Sequence, residues 1–215
     1  MFNAVYFNSY KLKKAASVPD FIAAISNLFK ENIINTKGHV SSALLLDGEI
    51  WADYSIWETM EDLNAFITSS RTKSANGTNG LAERFYSFCN FSVGRSHRFS
   101  VKGCYNFDMK HFITPNIVSY HSYKLKKGVS VSDFMLALEK ANTDFASKQK
   151  GWISSKLLSD GKTWADIAIF ESKEDLEQFA KLCGKNELTK KCQSFMDIGS
   201  LRSHLFSLEK SFCFK

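Results

Sequence analysis

Short stretches in which aromatic or aliphatic side chains alternate with polar ones recur along the chain. A period of two is typical of half-buried β-strands. The predicted strands are residues 3–12, 39–46, 50–57, about 93–101, 116–125, 152–159, 163–170 and about 200–208. Asp47-Gly48 and Asp160-Gly161 each separate two of these strands. They predict two-residue type I′ hairpins, in which both turn residues take a positive φ.

Amphipathic stretches with capping signals lie between the strands. A Ser or Thr followed three residues later by an acidic residue predicts the start of a helix. The chain has four such pairs: Ser17 with Asp20, Thr59 with Asp62, Ser130 with Asp133 and Ser172 with Asp175. The helices after Ser17 and Ser130 should reach about residues 34 and 148, and further short helices are expected near 80–89 and 187–196.

The chain is an internal repeat. The segment SYKLKK at Ser9–Lys14 returns at Ser122–Lys127, 113 residues later, and other short blocks return at the same spacing. Near the end of each copy the spacing falls to 107, so the second copy has lost residues, which we place in the polar loop 71–79. The repeat predicts two domains, residues 1–108 and 116–215, joined by a linker at 109–115.

Each copy has the order β-α-β-β-α-β, which defines a ferredoxin-like unit with a four-stranded antiparallel sheet and both helices on one face. The fold class is therefore α+β. The second face of each sheet is apolar and needs a cover. We expect the two copies to pack sheet to sheet as an internal pseudo-dimer.

Composition and charge narrow the function classes. Of 215 residues, 44% are hydrophobic and 14% aromatic, which is enough for a packed core. The net charge of +6 comes from scattered lysines, so we expect no nucleic-acid partner. No apolar run approaches the length of a membrane span, so no membrane association is expected. Five Cys without a C-x-x-C pattern predict free thiols in a cytoplasmic protein and no metal site.

Two junctions between a strand and a helix carry a resemblance to a known family. Residues 54–66 (YSIWETMEDLNAF) and 167–179 (IAIFESKEDLEQF) each join an aromatic and a Glu to a short polar stretch and an amphipathic helix. In this the chain resembles the dimeric α+β barrel superfamily, particularly its antibiotic-biosynthesis-monooxygenase-like branch. The resemblance implies one of three roles: a cofactor-free oxygenase of quinols or polyketides, a haem-degrading enzyme, or a protein without known activity.

The haem-degrading branch has three marker positions, which this chain matches only in part. The resemblance places an Asn late in the first strand, where Asn8 stands here and His121 in the second copy. It also places an aromatic on the second helix, where Phe66 and Phe179 stand, and a His just beyond it, which neither copy has. We therefore predict no cofactor and regard haem as the less favoured alternative.

Asp53 and Asp166 are the first candidates for catalysis. Each lies in the middle of a predicted strand among aromatic residues, where a carboxyl group has a raised pKa unless it is paired. Such a group could act as a general base toward a phenol or a carbon acid. The alternative is a structural Asp that accepts hydrogen bonds from a neighbouring strand or an indole.

His97 and His204 are the second pair of catalytic candidates. Each shares one face of the last strand with an Arg, because strand side chains alternate. We expect Asp53 and His97 to lie roughly 10 Å apart and to line one pocket. The alternative is that these residues tie the sheet to the opposite copy. The candidate ligand-binding residues are Asn8, Tyr10, Trp51, Trp57, Arg95, His121, Tyr123, Trp164 and Arg202.

These observations predict a tandem α+β barrel that binds a small molecule in a cavity between a sheet and its helices. The first hypothesis is a cofactor-free oxygenase-like enzyme for an aromatic or quinol-type substrate, and the alternative is a non-catalytic module that binds a ligand or a protein. Because the copies differ at Asn8 and His121, we expect at most one well-formed pocket. Self-association beyond the internal pseudo-dimer is open to test.

Overall fold

The predicted element order is present in both copies. The computed structural model describes residues 3–78, 80–106 and 117–213. The first copy consists of β1 (Ala4–Leu12), α1 (Val18–Leu28), β2 (His39–Asp47), β3 (Ile50–Trp57), α2 (Met60–Ala75), α3 (Gly80–Phe88) and β4 (Cys89–Tyr105). The second consists of β5 (Ile117–Leu125), α4 (Val131–Lys140), β6 (Trp152–Ser159), β7 (Trp164–Phe170), α5 (Lys173–Cys183), α6 (Glu187–Phe195) and β8 (Met196–Cys213). The predicted linker at 109–115 lies outside the described residues.

Some elements differ from the prediction in length or in type. Strands β4 and β8 follow directly on α3 and α6 and continue beyond the predicted ends, because no Gly-Pro or similar breaker interrupts their alternation. Helices α1 and α4 pass into π-helical turns, Phe29–Ile33 and Ala141–Phe145. Among the described residues, no helix combines the length and the apolar character that a membrane crossing needs.

The predicted capping signals are confirmed at the helix starts. The hydroxyls of Ser17 and Ser130 accept hydrogen bonds from the backbone N–H groups three residues later, at 3.4 and 3.3 Å. At α2, Thr59 accepts from the Asp62 N–H at 3.0 Å and donates its own hydroxyl to the Asp62 carboxylate at 2.6 Å. In a capping box a Glu or Gln at this position accepts a hydrogen bond from the backbone N–H of the N-cap residue. The shorter Asp62 side chain accepts from the Thr59 hydroxyl instead.

The type I′ hairpins predicted at the two Asp-Gly pairs are wrong. Asp47 pairs with Ile50, so the turn residues are Gly48 and Glu49, and of these only Gly48 has a positive φ, at 58°. That is the requirement of a type II′ turn, which takes Gly at its first central position. The second hairpin has a longer loop, in which the Asp160 carboxylate accepts from the N–H of Thr163 at 2.7 Å.

Two strands flank the first strand of each copy, as the ferredoxin-like order requires. In the first copy β1 pairs antiparallel with β3 and β4, and β2 pairs with β3. In the second copy β5 pairs with β7 and β8, and β6 pairs with β7. The hydrogen-bonded strand order is that of a closed barrel, β1-β3-β2-β8-β5-β7-β6-β4. The α+β fold class is confirmed.

The chain divides into two compact units. The first consists of Met1–Ser100 with Glu209–Lys215, and the second of Val101–Leu208. The end of β8 thus belongs to the first unit, and the end of β4 to the second. The boundaries 1–108 and 116–215 mark the repeat in the sequence, and as domain boundaries they stay a prediction.

Each unit has an apolar core on the helix side of its sheet. In the first unit, Tyr10, Phe21, Ile25, Phe29, Trp51, Trp57, Leu63 and Phe85 are all buried. In the second unit, the core residues are Tyr123, Phe134, Leu138, Ala141, Leu157, Trp164, Cys192 and Met196. The second set contains smaller side chains, and this difference decides how much space remains for a ligand.

Candidate functional site

Asp53 lies on the helix side of the first sheet. Strand alternation puts it on the same face as Trp51 and Trp57, and the register places it opposite Asn8 of β1. The Asn8 amide donates a hydrogen bond to the Asp53 carboxylate at 3.2 Å. Desolvation by burial raises the pKa of Asp53 to about 7, against the opposing effects of the Asn8 and Tyr10 side chains. A carboxyl group with this pKa exchanges its proton near neutrality.

The second unit repeats this carboxyl group with a closer tyrosine. The Tyr123 hydroxyl donates to the Asp166 carboxylate at 2.6 Å. Burial raises the pKa of Asp166 to about 7, and the Tyr123 hydrogen bond limits the rise. Burial, together with the charge and the hydrogen bond of Asp166, raises the pKa of Tyr123 well above its ordinary value, so the phenol keeps its proton. The pair is therefore a carboxylate that accepts a strong hydrogen bond from a neutral phenol.

His121 stands in the second unit where Asn8 stands in the first. Its Nε2 lies 2.9 Å from the Ser119 hydroxyl, and its Nδ1 lies 2.8 Å from the Ser203 hydroxyl. Burial lowers the pKa of His121, and the nearby charge of His204 lowers it further. The imidazole is thus held in a fixed orientation and favours its neutral form.

A cavity lies between the sheet and the helices of the first unit, with a volume of about 200 Å³. Its polar lining comes from Tyr6, Asn8, Asp53, Ser55, Ser70, Arg71 and Tyr86. The apolar lining includes Ile25, Leu28, Phe29, Ile33, Trp57, Phe66 and Phe85. The Trp57 indole donates to the Ser55 hydroxyl at 2.9 Å, which fixes the wall beside Asp53.

The corresponding cavity of the second unit is larger, at about 370 Å³. Its polar lining includes Ser119, His121, Tyr123, Asn142, Asp166 and Ser203, and its apolar lining includes Leu138, Ala141, Ala146, Trp152, Phe170, Phe179 and Met196. The extra volume follows from the sequence. Phe29, Ile33 and Phe85 of the first copy correspond to Asn142, Ala146 and Cys192 in the second. Each change removes bulk from a wall of the cavity.

The expectation that Asp53 and His97 line one pocket is wrong. In the pairing of β1 with β4, Ser96 lies opposite Asn8, and His97 lies opposite Phe7. Neighbouring strand residues point to opposite faces, so His97 lies on the face away from Asp53. It stacks there on Phe99, with ring centroids 4.8 Å apart.

The second unit repeats this arrangement. His204 pairs with Tyr120, whereas Ser203 pairs with His121, so His204 and Asp166 also lie on opposite faces. The alternation of side chains predicts which residues of the last strand share a face. Which of the two faces of the sheet they occupy depends on the register between the strands. Arg95 and Arg202 share the face of these histidines and are exposed.

The other predicted ligand-binding residues divide into two groups. Asn8, Trp57, His121 and Tyr123 line the cavities. Tyr10, Trp51 and Trp164 pack in the cores behind the cavities instead.

Sequence reasoning missed several lining residues, above all Tyr6, Arg71 and Tyr86. Arg71 lies near the end of α2, so the polar loop predicted at 71–79 is wrong in its first part, because the helix continues to Ala75. The difference in length between the copies in this segment was the available signal. Tyr6 could have been placed by its alternation with Asn8 on β1.

The residues of the second cavity do not fit haem well. Both ring nitrogens of His121 contact serine hydroxyls, so neither is set up as an axial ligand. Burial raises the pKa of the two lining thiols, Cys183 to about 11 and Cys192 to about 12, which disfavours a thiolate ligand. The described residues contain no group of three or more His, Cys, Asp or Glu placed to hold a metal ion.

Comparison with known proteins places the chain by its fold. No protein-family model matches the sequence, and no curated protein matches it. Solved structures do match over almost the whole chain, and they include proteins of the antibiotic-biosynthesis-monooxygenase type. The chain therefore has the fold of the antibiotic-biosynthesis-monooxygenase-like dimeric α+β barrel proteins, as the two strand-helix junctions predict.

Three of these structures illustrate the match. An anthrone oxidase-like protein is 12% identical with a TM-score of 0.68, and the match covers 99% of this chain and 94% of that one. A proposed monooxygenase from Fusobacterium nucleatum is 8% identical with a TM-score of 0.71 and the same two coverages. A ferredoxin-fold protein from Listeria monocytogenes, related to antibiotic biosynthesis monooxygenases, is 12% identical with a TM-score of 0.56, over 98% of this chain and 96% of that one.

Proposed function

We propose that the second unit binds a small aromatic molecule in its cavity and oxygenates it without a cofactor, with Asp166 as the general base. The observation that carries this proposal is the Asp166 carboxyl group, which lines a 370 Å³ cavity and has a pKa of about 7. A general base works best when its pKa lies near the working pH. The cavity volume lies at the small end of the range of ligand pockets, roughly 300–1,000 Å³.

The chemistry asks three things of the residues around Asp166. The carboxylate takes a proton from a carbon acid or a phenol of the substrate. Tyr123 donates to the carboxylate at 2.6 Å and keeps it oriented. The apolar walls, which include Trp152, Phe170 and Phe179, hold the ring and limit the access of water.

The proposed reaction balances with O₂ as the only oxidant. For an anthrone, the CH₂ carbon loses a proton to Asp166, and the resulting carbanion gives electrons to O₂ and forms a C–O bond. Protonation gives a hydroperoxide, whose O–O bond then breaks with loss of water and formation of the second carbonyl. Each turnover consumes one O₂ and releases one water and one quinone. A fold neighbour described as anthrone oxidase-like supports anthrone as the first probe.

Oxygen uptake with anthrone tests the proposal. Asp166→Asn keeps an acceptor for Tyr123 but cannot take a proton, so kcat/KM should fall by about 10²–10⁴-fold. Asp53→Asn is the matched control in the first unit and should leave the rate within a factor of about two. For the wild type, the rate should rise as the pH passes through about 7. An Asp166→Asn variant with wild-type uptake would contradict the proposal.

A non-catalytic ligand-binding or protein-interaction role remains the second candidate. Tyr123 satisfies one oxygen of Asp166 without any ligand, as a structural carboxylate would require. A solved structure described as a major regulator of staphylococcal pathogenesis also has this fold, at 8% identity and a TM-score of 0.51. Saturable binding of anthrone without uptake of O₂ would favour this role.

A heme-degrading enzyme from Listeria monocytogenes also matches the chain, at 12% identity and a TM-score of 0.51. Because the side chains of the second cavity are not arranged as haem ligands, no step of the proposed reaction uses haem. A Soret band after addition of haemin, lost in His121→Ala, would overturn this assignment.

A further inference from the structure

We propose that the cavity of the first unit is a second, separate ligand site, which binds a one-ring aromatic carboxylic acid that also carries a hydroxyl group. Arg71 would hold the carboxylate, and the Asn8–Asp53 pair would hold the hydroxyl. This inference does not depend on the turnover proposed for the second unit.

The inner end of the cavity is built to recognise a hydroxyl group. Asn8 and Asp53 are both buried and hydrogen-bonded to each other, and both line the cavity. The carboxylate of Asp53 has further acceptor positions, since an ionised carboxylate has about four lone-pair sites. A phenol of a ligand could therefore donate to Asp53 without breaking the Asn8 contact.

The walls and the volume suit a single aromatic ring. Trp57 and Phe66 are stacked with ring centroids 5.0 Å apart, and both line the cavity together with Phe29 and Phe85. The volume of about 200 Å³ exceeds the ~150 Å³ of a cavity known to admit benzene. It leaves room for small substituents but not for a fused three-ring system.

Arg71 gives this cavity a cationic group that the second cavity lacks at the matching position. Its side chain is exposed and lines the cavity together with Tyr6 and Tyr86. Burial raises the pKa of both tyrosines, the Asp53 charge raises it further and the Arg71 charge opposes the rise, so the two phenols lie within reach of both charges. In the second copy, Gly184 takes the place of Arg71 at the repeat spacing.

The two charged groups also set the orientation of the ligand. A guanidinium binds a carboxylate through two parallel hydrogen bonds, which gives direction as well as affinity. The ionised form of Asp53 repels a second carboxylate, so the acid group of the ligand should lie toward Arg71 and its hydroxyl toward Asp53. An uncharged aromatic alcohol has no carboxylate for Arg71 to bind, so it keeps only the contact with Asp53.

Calorimetric titration of the full-length protein tests the site with three probes. The first is 4-hydroxybenzoate, the second is 4-hydroxybenzyl alcohol, which lacks the carboxylate, and the third is benzoate, which lacks the hydroxyl. The wild type should bind 4-hydroxybenzoate at least about 10-fold more tightly than either analogue, as expected for loss of one charged or one buried hydrogen bond. Equal affinities for the three probes, or no binding of the first, would overturn the proposal.

Variants locate the binding in this cavity. Arg71→Ala should weaken 4-hydroxybenzoate about 10- to 100-fold and leave the alcohol unchanged. Arg71→Lys should give an intermediate loss, because it keeps the charge without the planar fork. Lys73→Ala is the matched control, since it removes a positive charge from the same helix but not from this cavity. An equal loss in both alanine variants would show unspecific charge attraction and overturn the site.

A further variant keeps this proposal apart from the function proposed for the second unit. Asp166→Asn should abolish oxygen uptake but bind 4-hydroxybenzoate as the wild type does. Loss of 4-hydroxybenzoate binding in Asp166→Asn would place the ligand in the second cavity and overturn the assignment. If Arg71→Ala does not fold, the comparison of the three probes on the wild type still decides the question.

Discussion

At the scale of single residues, two buried carboxyl groups dominate the chemistry of the molecule. Asp53 and Asp166 occupy the same position in the two copies, and each is raised to a pKa of about 7 by burial. Their neighbours differ, since Asn8 donates to the first carboxylate and Tyr123 to the second. The same backbone position therefore gives two groups with similar proton affinity and different hydrogen-bonding partners.

The raised pKa of Asp53 makes the stability of the protein depend on pH. A carboxyl group whose pKa is about 7 in the folded state and 3.8 when unfolded binds its proton more tightly in the folded state. Its stabilising effect is complete below pH 3.8 and is lost as the pH rises through about 7. The loss is on the order of 4 kcal/mol, since one pKa unit corresponds to about 1.36 kcal/mol.

Asp53→Asn should remove the part of the pH dependence that comes from Asp53 and leave the part that comes from Asp166. The amide keeps an acceptor for Asn8 but carries no charge at any pH, so the variant should be more stable than the wild type above pH 7 and similar to it near pH 4. Urea unfolding at several pH values measures this difference. Asp144→Asn, at an exposed position, is the control. Parallel pH profiles for the wild type and Asp53→Asn would contradict the burial argument.

The candidate site could be predicted from the sequence only in part. The two carboxyl groups stand out because they recur among aromatic residues in the middle of a strand. The face of His97 could not be predicted, because β1 has an irregularity between Ser9 and Lys11 where it pairs with β4. A shift of one residue in register moves a side chain to the other face of a sheet.

At the scale of elements, each second helix is tied to the loop before β2 or β6 through its capping Asp. Gly38 has a φ of 76°, and a Cβ there would lie 2.5 Å from the Cβ of Asp62. Gly151 repeats this contact with Asp175, with a φ of 71° and the same distance. Both positions therefore need glycine for its backbone conformation and for the close approach of the cap.

Gly38→Ala should destabilise the protein more than Gly48→Ala does. Both residues have positive φ, but a Cβ at Gly48 meets no atom within 4 Å, whereas one at Gly38 collides with Asp62. We expect a loss of about 1 kcal/mol at Gly48 from backbone strain alone, and of roughly 2–4 kcal/mol at Gly38. Thermal unfolding of the two variants measures this. Equal losses would mean that the Gly38 loop moves freely away from α2.

Most elements could be predicted from local patterns, because alternation and capping are local signals. The π-helical turn Phe29–Ile33 could not, because its apolar residues fit the period of an α-helix as well. The hairpin at Gly48 was misassigned because the pair Asp-Gly does not by itself say which two residues form the turn. The hydrogen-bonded pair Asp47–Ile50 decides this.

At the scale of the whole molecule, the repeat explains both the fold and the difference between the two cavities. The copies have the same element order, yet their cavity walls differ at several corresponding positions. Contrary to the expectation of at most one well-formed pocket, both units contain a cavity, although the two are unequal in volume, at about 200 and 370 Å³, and differ in their lining. A single chain can keep one fold twice and change each binding site separately, which a symmetric homodimer cannot do.

Truncation after Met109 should leave a first half that does not stay monomeric. The first unit includes the end of β8, where Phe212 stacks on Phe29 with ring centroids 4.6 Å apart and Lys210 donates to Ser26 at 2.7 Å. The truncated half lacks these contacts, so it should aggregate or form a homodimer that supplies them from a second copy. Size-exclusion chromatography with light scattering measures this.

Phe212→Ala in the full chain is the milder form of the same test. Because Phe212 is 4% exposed, its truncation to Ala should lower the free energy of unfolding by about 3–5 kcal/mol.

A stable, well-folded monomer of residues 1–109 would show that the first half is complete without the second. Light scattering of the intact protein also tests its self-association, which stays a proposal.

The central claim is that each unit holds, inside a cavity, a carboxyl group whose pKa is about 7. A carbon-13 NMR titration of the aspartate carboxyl groups tests this claim most directly. Asp53→Asn and Asp166→Asn assign the two signals. The midpoints should lie near pH 7, and Tyr123→Phe should move the Asp166 midpoint upward, because the lost hydrogen bond stabilises the carboxylate. Midpoints near pH 4 for both groups would contradict the account.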